Sequence, residues 1–165
     1  KTMKKLKIIR LHHLIVMLSL FITSGASADD MSDVQNLINK YVGSQTLENM
    51  KTQAELMAND RTYIVNGTRY SNNEISMALQ TANNAVIRKA SPGIKRISTA
   101  EDVHMRLNGD TAIVSFYLIM NDINNAANVK AGQAAMTTNY ATVSMALFKI
   151  DGDWKIVHTH FSPTK

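Results

Sequence analysis

Two β-hairpin signals in the second half of the chain constrain its fold more than any other feature. The first joins "EDVHMRLN" to "TAIVSFYLIMN" at residues 108–110, and the second joins "YATVSMALFKI" to "DWKIVHTHFS" through Asp151 and Gly152. Turns this short connect only antiparallel strands. The segment "EDVHMRLN" also alternates apolar and polar residues, which is typical of a strand with one buried face. The second half is therefore predicted to be an antiparallel sheet.

The two middle strands of this predicted sheet are apolar on both faces. "TAIVSFYLIMN" and "YATVSMALFKI" therefore need a cover on each side, and helices can supply only one of the two covers. A second copy of the protein can supply the other, which predicts a homodimer or a larger homo-oligomer through the sheet. Residues 121–138, between these strands, are rich in Ala and Asn and are expected to form an extended hairpin tip or a partly disordered excursion.

Three amphipathic helices are predicted before the sheet. "SDVQNLINKYV" and "SNNEISMALQTANNAVIRKA" each begin with a capping box, and "TLENMKTQAELMA" follows a capping Thr46. A β-rich segment, "RTYIVNGTRY", with its turn at Asn66-Gly67, separates the second helix from the third. The expected buried stripes are Val34, Leu37, Ile38, Tyr41 and Val42 in the first helix, Leu47, Met50, Ala54 and Met57 in the second, and Ile75, Ala78, Leu79, Ala82 and Val86 in the third. Helices followed by antiparallel strands predict the α+β class.

The first 28 residues have the composition of an export signal. Five cations and no acid precede the apolar run "LIVMLSLFI", and "ASA" at residues 26–28 fits a cleavage site. We therefore predict a signal peptide at residues 1–28, cut after Ala28, and a periplasmic or secreted domain at residues 29–165 without a membrane span. A membrane anchor is the alternative. The chain has no cysteine, so the domain is expected to be stabilised by its core alone.

The net positive charge of the whole chain comes from this N-terminal segment. Five of the 18 Lys and Arg residues lie in it, and the remainder equals the 13 acidic residues. No basic surface is left to bind nucleic acid, so no nucleic-acid partner is expected. The sequence also has no phosphate-binding glycine loop, nucleophile elbow or zinc-protease helix, and we expect no cofactor and no metal.

The element order and the ending of the chain resemble a known superfamily. The segments "AELMANDRTYIVNG", "VHMRLNGDTAIVSFYL" and "VSMALFKIDGDWKIVHTHFS" are similar to the SnoaL-like branch of the nuclear-transport-factor-two-like superfamily. They resemble most the bacterial relatives of the calcium/calmodulin-dependent kinase association domain. The resemblance implies a cone-shaped barrel, in which a curved antiparallel sheet wraps over three N-terminal helices around a pocket. Its members include isomerases, dehydratases, cyclases, assembly hubs and binders, so it implies no single activity.

The last strand carries the first candidate site. Simple alternation places Trp154, His158 and His160 on one face of it. Three roles stay open for the histidines: proton transfer in a pocket, metal binding if His104 faces the same side, or hydrogen bonding within a subunit contact. We predict no metal site, because a third ligand is not assured.

Other side chains are candidates for binding or catalysis. Arg106 could bind a carboxylate if its strand face meets the pocket, and Tyr63, Tyr117 and Trp154 are further ligand-binding candidates. Steroid-isomerase relatives imply a tyrosine on the first helix, which Tyr41 matches. Their base position falls on Val65 or Asn66, and neither is an acid.

Dehydratase-like relatives imply a His–Asp pair, which His158 or His160 could form with Asp60. Otherwise Asp60 is expected to cap the turn between helix and strand. Two hypotheses follow. The first is an exported, homodimeric ligand-binding or assembly domain for a small apolar or acidic molecule. The alternative is a lyase or isomerase that uses one of these histidines with Asp60 and Tyr41.

Overall fold

The computed structural model describes residues 28–164, so the predicted signal peptide lies outside the described residues except for Ala28. These residues form four helices and six strands. The helices are α1 (Ala28–Ser44), α2 (Met50–Glu55), α3 (Asn73–Ala90) and α4 (Ala126–Lys130). The strands are β1 (Met57–Val65), β2 (Thr68–Tyr70), β3 (Lys95–Asn108), β4 (Thr111–Ile123), β5 (Met136–Ile150) and β6 (Asp153–Pro163). Within this range no helix combines the length and apolar character needed to cross a membrane.

The strands form one curved sheet in the order β2-β1-β6-β5-β4-β3. All neighbours are antiparallel except β1 and β6, which are parallel. The end strands β2 and β3 do not pair with each other within the described range, so the sheet stays open. The predicted α+β cone, a curved and mostly antiparallel sheet wrapped over helices, is confirmed. The parallel pair joins strands from opposite ends of the domain, which no local sequence signal indicates.

The tight turns form where the sequence predicts them. Asn66 and Gly67 both have positive φ, and so do Asp151 and Gly152. This conformation is that of a type I′ turn, whose twist matches the strands that it joins.

Three register shifts interrupt the strand pairing, and the first lies between Met57 and Thr62, where β1 pairs with β6. The pairing of β3 with β4 shifts between Glu101 and His104, where Asp102 has a φ of 52°. The pairing of β5 with β6 shifts where Ala146 faces His158 but Leu147 faces Ile156, which leaves Val157 as an extra residue. A bulge bends its strand and increases the local twist. It also moves every later side chain of that strand to the opposite face.

The apolar core lies between α1 and the concave inner face of the sheet. The predicted stripe of α1 is confirmed, because all five of its residues are buried. They pack against every second residue of the long strands, namely Ala112, Val114, Phe116, Leu118, Val143, Met145, Leu147 and Ile156. Polar contacts fix the start of α1 to the β5–β6 hairpin, since Asp30 accepts from Lys149 Nζ at 2.6 Å and from Trp154 Nε1 at 3.2 Å.

The helix boundaries differ from the expected ones. Helix α1 begins at Ala28 rather than at Ser32, and α2 ends at Glu55, so that Met57 begins β1 instead of ending a helix. Asn72, not Ser71, caps α3 and accepts a hydrogen bond from the backbone N–H of Ile75 at 3.1 Å. Asn and Ser are equally good caps, so the composition of this segment could not decide between them.

The predicted buried stripe of α3 is wrong. Ile75 and Val86 are 60% and 67% exposed, and Ala78 and Ala82 are exposed as well. The face that α3 turns inward is mostly polar: it consists of Asn73, Ser76, Met77, Gln80, Asn84 and Ile87. These polar side chains form hydrogen bonds with polar groups of the interior. A buried polar group without a hydrogen bond is costly, and this cost outweighs the gain from burying the apolar side chains of α3.

The excursion after β4 forms the end of the β4–β5 hairpin, as the first of its two alternatives predicts, and its tip carries a short helix. Residues 121–123 and 136–138 belong to β4 and β5, and the intervening residues carry α4. The side chains of Asn125 and Asn128 donate to Pro92 O at 2.9 and 3.0 Å, and Ser91 Oγ donates to Gln133 Oε1 at 2.7 Å. These contacts attach the excursion to the turn between α3 and β3.

Gly93 is essential to this attachment, since its φ is +75° and an added Cβ would lie 2.7 Å from Asn125 Nδ2. We expect Gly93→Ala to lower the free energy of unfolding by about 1–2 kcal/mol. Gly43→Ala is the matched control, because Gly43 lies exposed in α1 with no atom within 4 Å of the added Cβ. It should raise the free energy of unfolding by about 0.5–1 kcal/mol. Urea unfolding measures the free energy of unfolding of both variants. Equal changes in the two variants would contradict the role of Gly93 at Asn125.

Candidate functional site

A cavity of about 630 Å³ lies between α1, α3 and the inner face of the sheet. Its volume falls in the range of small-molecule sites. Apolar side chains from all three sides line it, among them Tyr41, Tyr63, Val65, Ile87, Met120 and Phe161. Polar side chains make up the other half of the lining, namely Gln45, Gln80, Asn83, Asn84, Arg96, Asp122, Thr138, Asn139 and Thr164.

The bulge at Val157 decides which residues of β6 face this cavity. Before the bulge, Trp154 and Ile156 point into the core; after it, Thr159 is fully buried and Phe161 lines the cavity. His158 and His160 therefore project from the outer face of the sheet, the face away from α1. The expected common face of Trp154 and the two histidines is wrong, because alternation holds only in a strand without a bulge.

On the outer face the histidines lie between residues of the two neighbouring strands. His158 lies between Thr62 of β1 and Ala146 of β5, and His160 lies between Ile64 and Ser144. Partial burial, together with the positive potential of His160 and Arg61, lowers the pKa of His158. Its imidazole is therefore neutral at neutral pH.

His104 also faces outward, on β3, with β4 and β5 between it and β6. It is exposed and contacts Asp102 at 2.9 Å. Among residues 28–164, no three His, Cys, Asp or Glu side chains form a group that could hold a metal ion.

The structure separates the remaining predicted site residues. Tyr41 and Tyr63 line the cavity. Arg106 and Tyr117 are exposed on the outer face, and Trp154 is buried beside the start of α1. Asp60 lies within β1 and is exposed, so it does not cap the turn between helix and strand. The cavity thus brings together two of the predicted tyrosines, without either histidine and without Asp60.

Arg61 is an interior residue that the sequence analysis did not identify. It is 1% exposed, and its guanidinium lies 4.7 Å from the centre of the Tyr63 ring. Nη1 contacts Met57 Sδ, Nη2 donates to Ser76 Oγ at 3.3 Å, and Nε has no partner. The alternation of Arg61, Tyr63 and Val65 in β1 was a usable signal, because all three face inward.

No carboxylate within the described range forms an ion pair with Arg61. Burial lowers the pKa of Arg61 and raises the pKa of both Tyr41 and Tyr63. Both phenols therefore stay neutral and do not balance the charge of the guanidinium. The interior beside the cavity holds a cation that these residues leave uncompensated.

A second arginine at the cavity is fully paired. Arg96 donates from Nε and Nη2 to the two carboxylate oxygens of Asp122 at 2.7 and 2.8 Å. Both side chains are mostly buried. This bidentate pair connects β3 to β4 at the cavity wall.

Comparison with known proteins gives one family and many similar structures. The model of the SnoaL-like domain matches residues 34–165. A Mycobacterium tuberculosis protein of unknown function superposes with a TM-score of 0.68 at 14% identity, covering 84% of this chain and 79% of that one. A Nostoc punctiforme protein with a cystatin-like fold gives a TM-score of 0.62 at 15% identity, with 84% and 93% coverage.

A proposed scytalone dehydratase from Novosphingobium aromaticivorans gives a TM-score of 0.66 at 12% identity, covering 83% of this chain and 85% of that one. No curated protein matches the chain. At these identities the similar structures show the fold alone.

The two carboxylate pairs of β3 allow a direct comparison. We expect Asp122→Asn to lower the free energy of unfolding by about 2–4 kcal/mol, because it leaves Arg96 buried without its counter-charge. Asp102→Asn removes the exposed partner of His104 and should cost about 0.5 kcal/mol or less. Chemical unfolding of both variants measures the difference. Similar costs would show that the buried pair contributes no more than a surface contact.

Proposed function

Because the chain belongs to the SnoaL-like domain family, we propose that it is a binding protein whose cavity holds one small, largely apolar molecule. The observation that carries this proposal is the cavity of about 630 Å³ between α1, α3 and the sheet. Its walls combine aromatic and aliphatic side chains with polar groups, and in small-molecule sites such polar groups fix the orientation of the ligand.

Binding is favoured over lyase or isomerase chemistry by the positions of the titratable groups. A general base must reach the bound substrate, and both histidines of β6 lie on the other face of the sheet. Asp122 is a carboxylate at the cavity, but both of its oxygens already accept hydrogen bonds from Arg96. The name of the Novosphingobium relative therefore does not extend to this chain.

We also propose that the protein is exported and acts in the periplasm or outside the cell. The cations, the apolar run and the small residues before Asp29 support this proposal. The absence of cysteine from the chain is compatible with it, because the domain has an apolar core that requires no disulfide.

Native mass spectrometry of the purified protein tests binding and export together. We expect the wild-type chain to begin at Asp29 and to retain a small molecule. Val65→Trp should weaken this retention, because Val65 lines the cavity and the larger indole would occupy part of its volume. Ile64→Trp is the matched control, because the adjacent side chain projects from the outer face next to His160.

The neutral fluorescent probe N-phenylnaphthylamine provides a second measurement of the cavity. It should bind to the wild-type protein and to Ile64→Trp, and at least tenfold more weakly to Val65→Trp. A wild-type protein that retains no small molecule and does not bind the probe would contradict the proposed function.

We propose further that two copies associate through the outer face of the sheet. Exposed apolar side chains lie there on the neighbouring strands β4 and β5, namely Ile113, Tyr117 and Phe148. Exposed apolar side chains in this number on one face are typical of an interaction site. The predicted closer relation to the kinase association domain, an assembly module, agrees with this proposal and stays a prediction.

Tyr117→Lys tests the association. We expect it to weaken the dimer at least tenfold in sedimentation velocity, because it places a charge among these exposed apolar side chains. Val86→Lys is the control, since Val86 is an exposed apolar residue on α3. If Val86→Lys dissociates the dimer and Tyr117→Lys does not, the interface lies on α3 instead.

A further inference from the structure

We infer that Arg61 binds a carboxylate at the floor of the cavity, so that the ligand is an organic acid with an apolar body. This inference rests on the proposed function, since it names the class of molecule that the cavity holds.

The first argument is the charge of Arg61. A guanidinium removed from water is costly unless an anion or several hydrogen bonds compensate it. Arg61 is 1% exposed, and its contacts are one hydroxyl, one thioether and the face of Tyr63. These neutral groups stabilise a cation only weakly. Local rules of protein stability are broken in this way mainly at functional sites.

The second argument is the edge of the guanidinium that lacks a partner. Arg96 shows how this edge is filled in the same protein, since its Nε and Nη2 bind the two oxygens of Asp122. In Arg61 the same edge has an Nε without a partner and an Nη2 with one hydrogen bond of 3.3 Å, to Ser76. A planar group with two oxygens and one negative charge completes this edge. Phosphate can carry a second charge, which a single guanidinium does not balance.

The third argument is the position of Arg61 next to the cavity. The Tyr63 ring both covers the guanidinium and lines the cavity, and Tyr41 lines the cavity as well. On α3, Ser76 lies one helical turn before Gln80, which is also part of the lining. Arg61 itself does not line the cavity, but it contacts the Tyr63 ring that does. For a carboxylate to reach its Nε, the Tyr63 ring has to turn aside.

A further polar group in this region is also without a partner. Thr159, opposite Tyr63 on β6, is fully buried, and its hydroxyl forms no hydrogen bond. A hydroxyl can donate to a carboxylate oxygen.

Neither of two other arginines can take this role. The sequence predicted acid recognition by Arg106, but Arg106 is exposed on the outer face of the sheet. Arg96 lines the cavity, but Asp122 already occupies its donor edge. Arg61 is thus the arginine beside the cavity whose Nε lacks a hydrogen-bond partner.

Calorimetric titration with matched acids and amides tests the inference. Octanoate is compared with octanamide, and phenylacetate with phenylacetamide, so that shape is kept and only the charge changes. We expect the wild-type protein to bind at least one of the acids at least tenfold more tightly than its amide. Arg61→Met should reduce this preference below threefold while amide binding persists. The control Arg106→Met should keep the full preference, and inorganic phosphate should not compete with the acid.

Thermal unfolding separates a binding role from a structural role. If Arg61 is an uncompensated cation, Arg61→Met should leave the melting temperature unchanged or raise it, and the acid should raise the melting temperature of the wild-type protein only. A much lower melting temperature of Arg61→Met, together with no effect of the acid on the melting temperature of the wild type, would show that Arg61 has a structural role. This result would overturn the inference.

The wild-type titration decides the question even if Arg61→Met does not fold. Equal affinity for acid and amide overturns the carboxylate site and leaves the cavity's proposed function intact. If neither the acids, the amides nor N-phenylnaphthylamine binds, the proposed function fails as well. Strong competition by phosphate would also overturn the assignment to a carboxylate.

Discussion

The structure depends on the burial of one helix in a bent sheet. The stripe of α1 meets every second residue of the long antiparallel strands, and these side chains form the main apolar cluster of the protein. A flat sheet could contact only one side of a helix, so the strands must bend around it. The bulges in β3 and β6 supply this bend by adding one residue to each strand. The cone and its cavity follow from this requirement.

The same bulge in β6 divides the chemistry of the domain between the two faces of the sheet. It directs Thr159 and Phe161 inward and His158 and His160 outward. The titratable imidazoles therefore belong to the surface on which a second copy is proposed to dock. The cavity is left with phenols, amides, hydroxyls and the ion pair of Arg96 with Asp122. Such an interior offers groups that recognise charge and shape, and this is the physical basis of the proposed binding function.

The interior also has two unlike halves. Beneath α1 it is apolar, whereas beneath α3 it contains Arg61, Ser76 and Asn84. This polarity explains why α3 turns its amides and hydroxyls inward and leaves Ile75 and Val86 exposed. Desolvating an unpartnered polar group costs about as much as burying a large aliphatic side chain gains. A helix that faces a buried cation is therefore stabilised by its polar face.

The sequence by itself determined the features that depend on local chemistry. The periodicity of α1 identified its buried stripe, and Asn66-Gly67 and Asp151-Gly152 identified turns, because both signals act over a few neighbouring residues. Tertiary structure alone decided the faces of His158 and His160, because a bulge exists only relative to the register of a partner strand. It also decided the orientation of α3 and the burial of Arg61, because both result from groups far apart in the chain that share one interior.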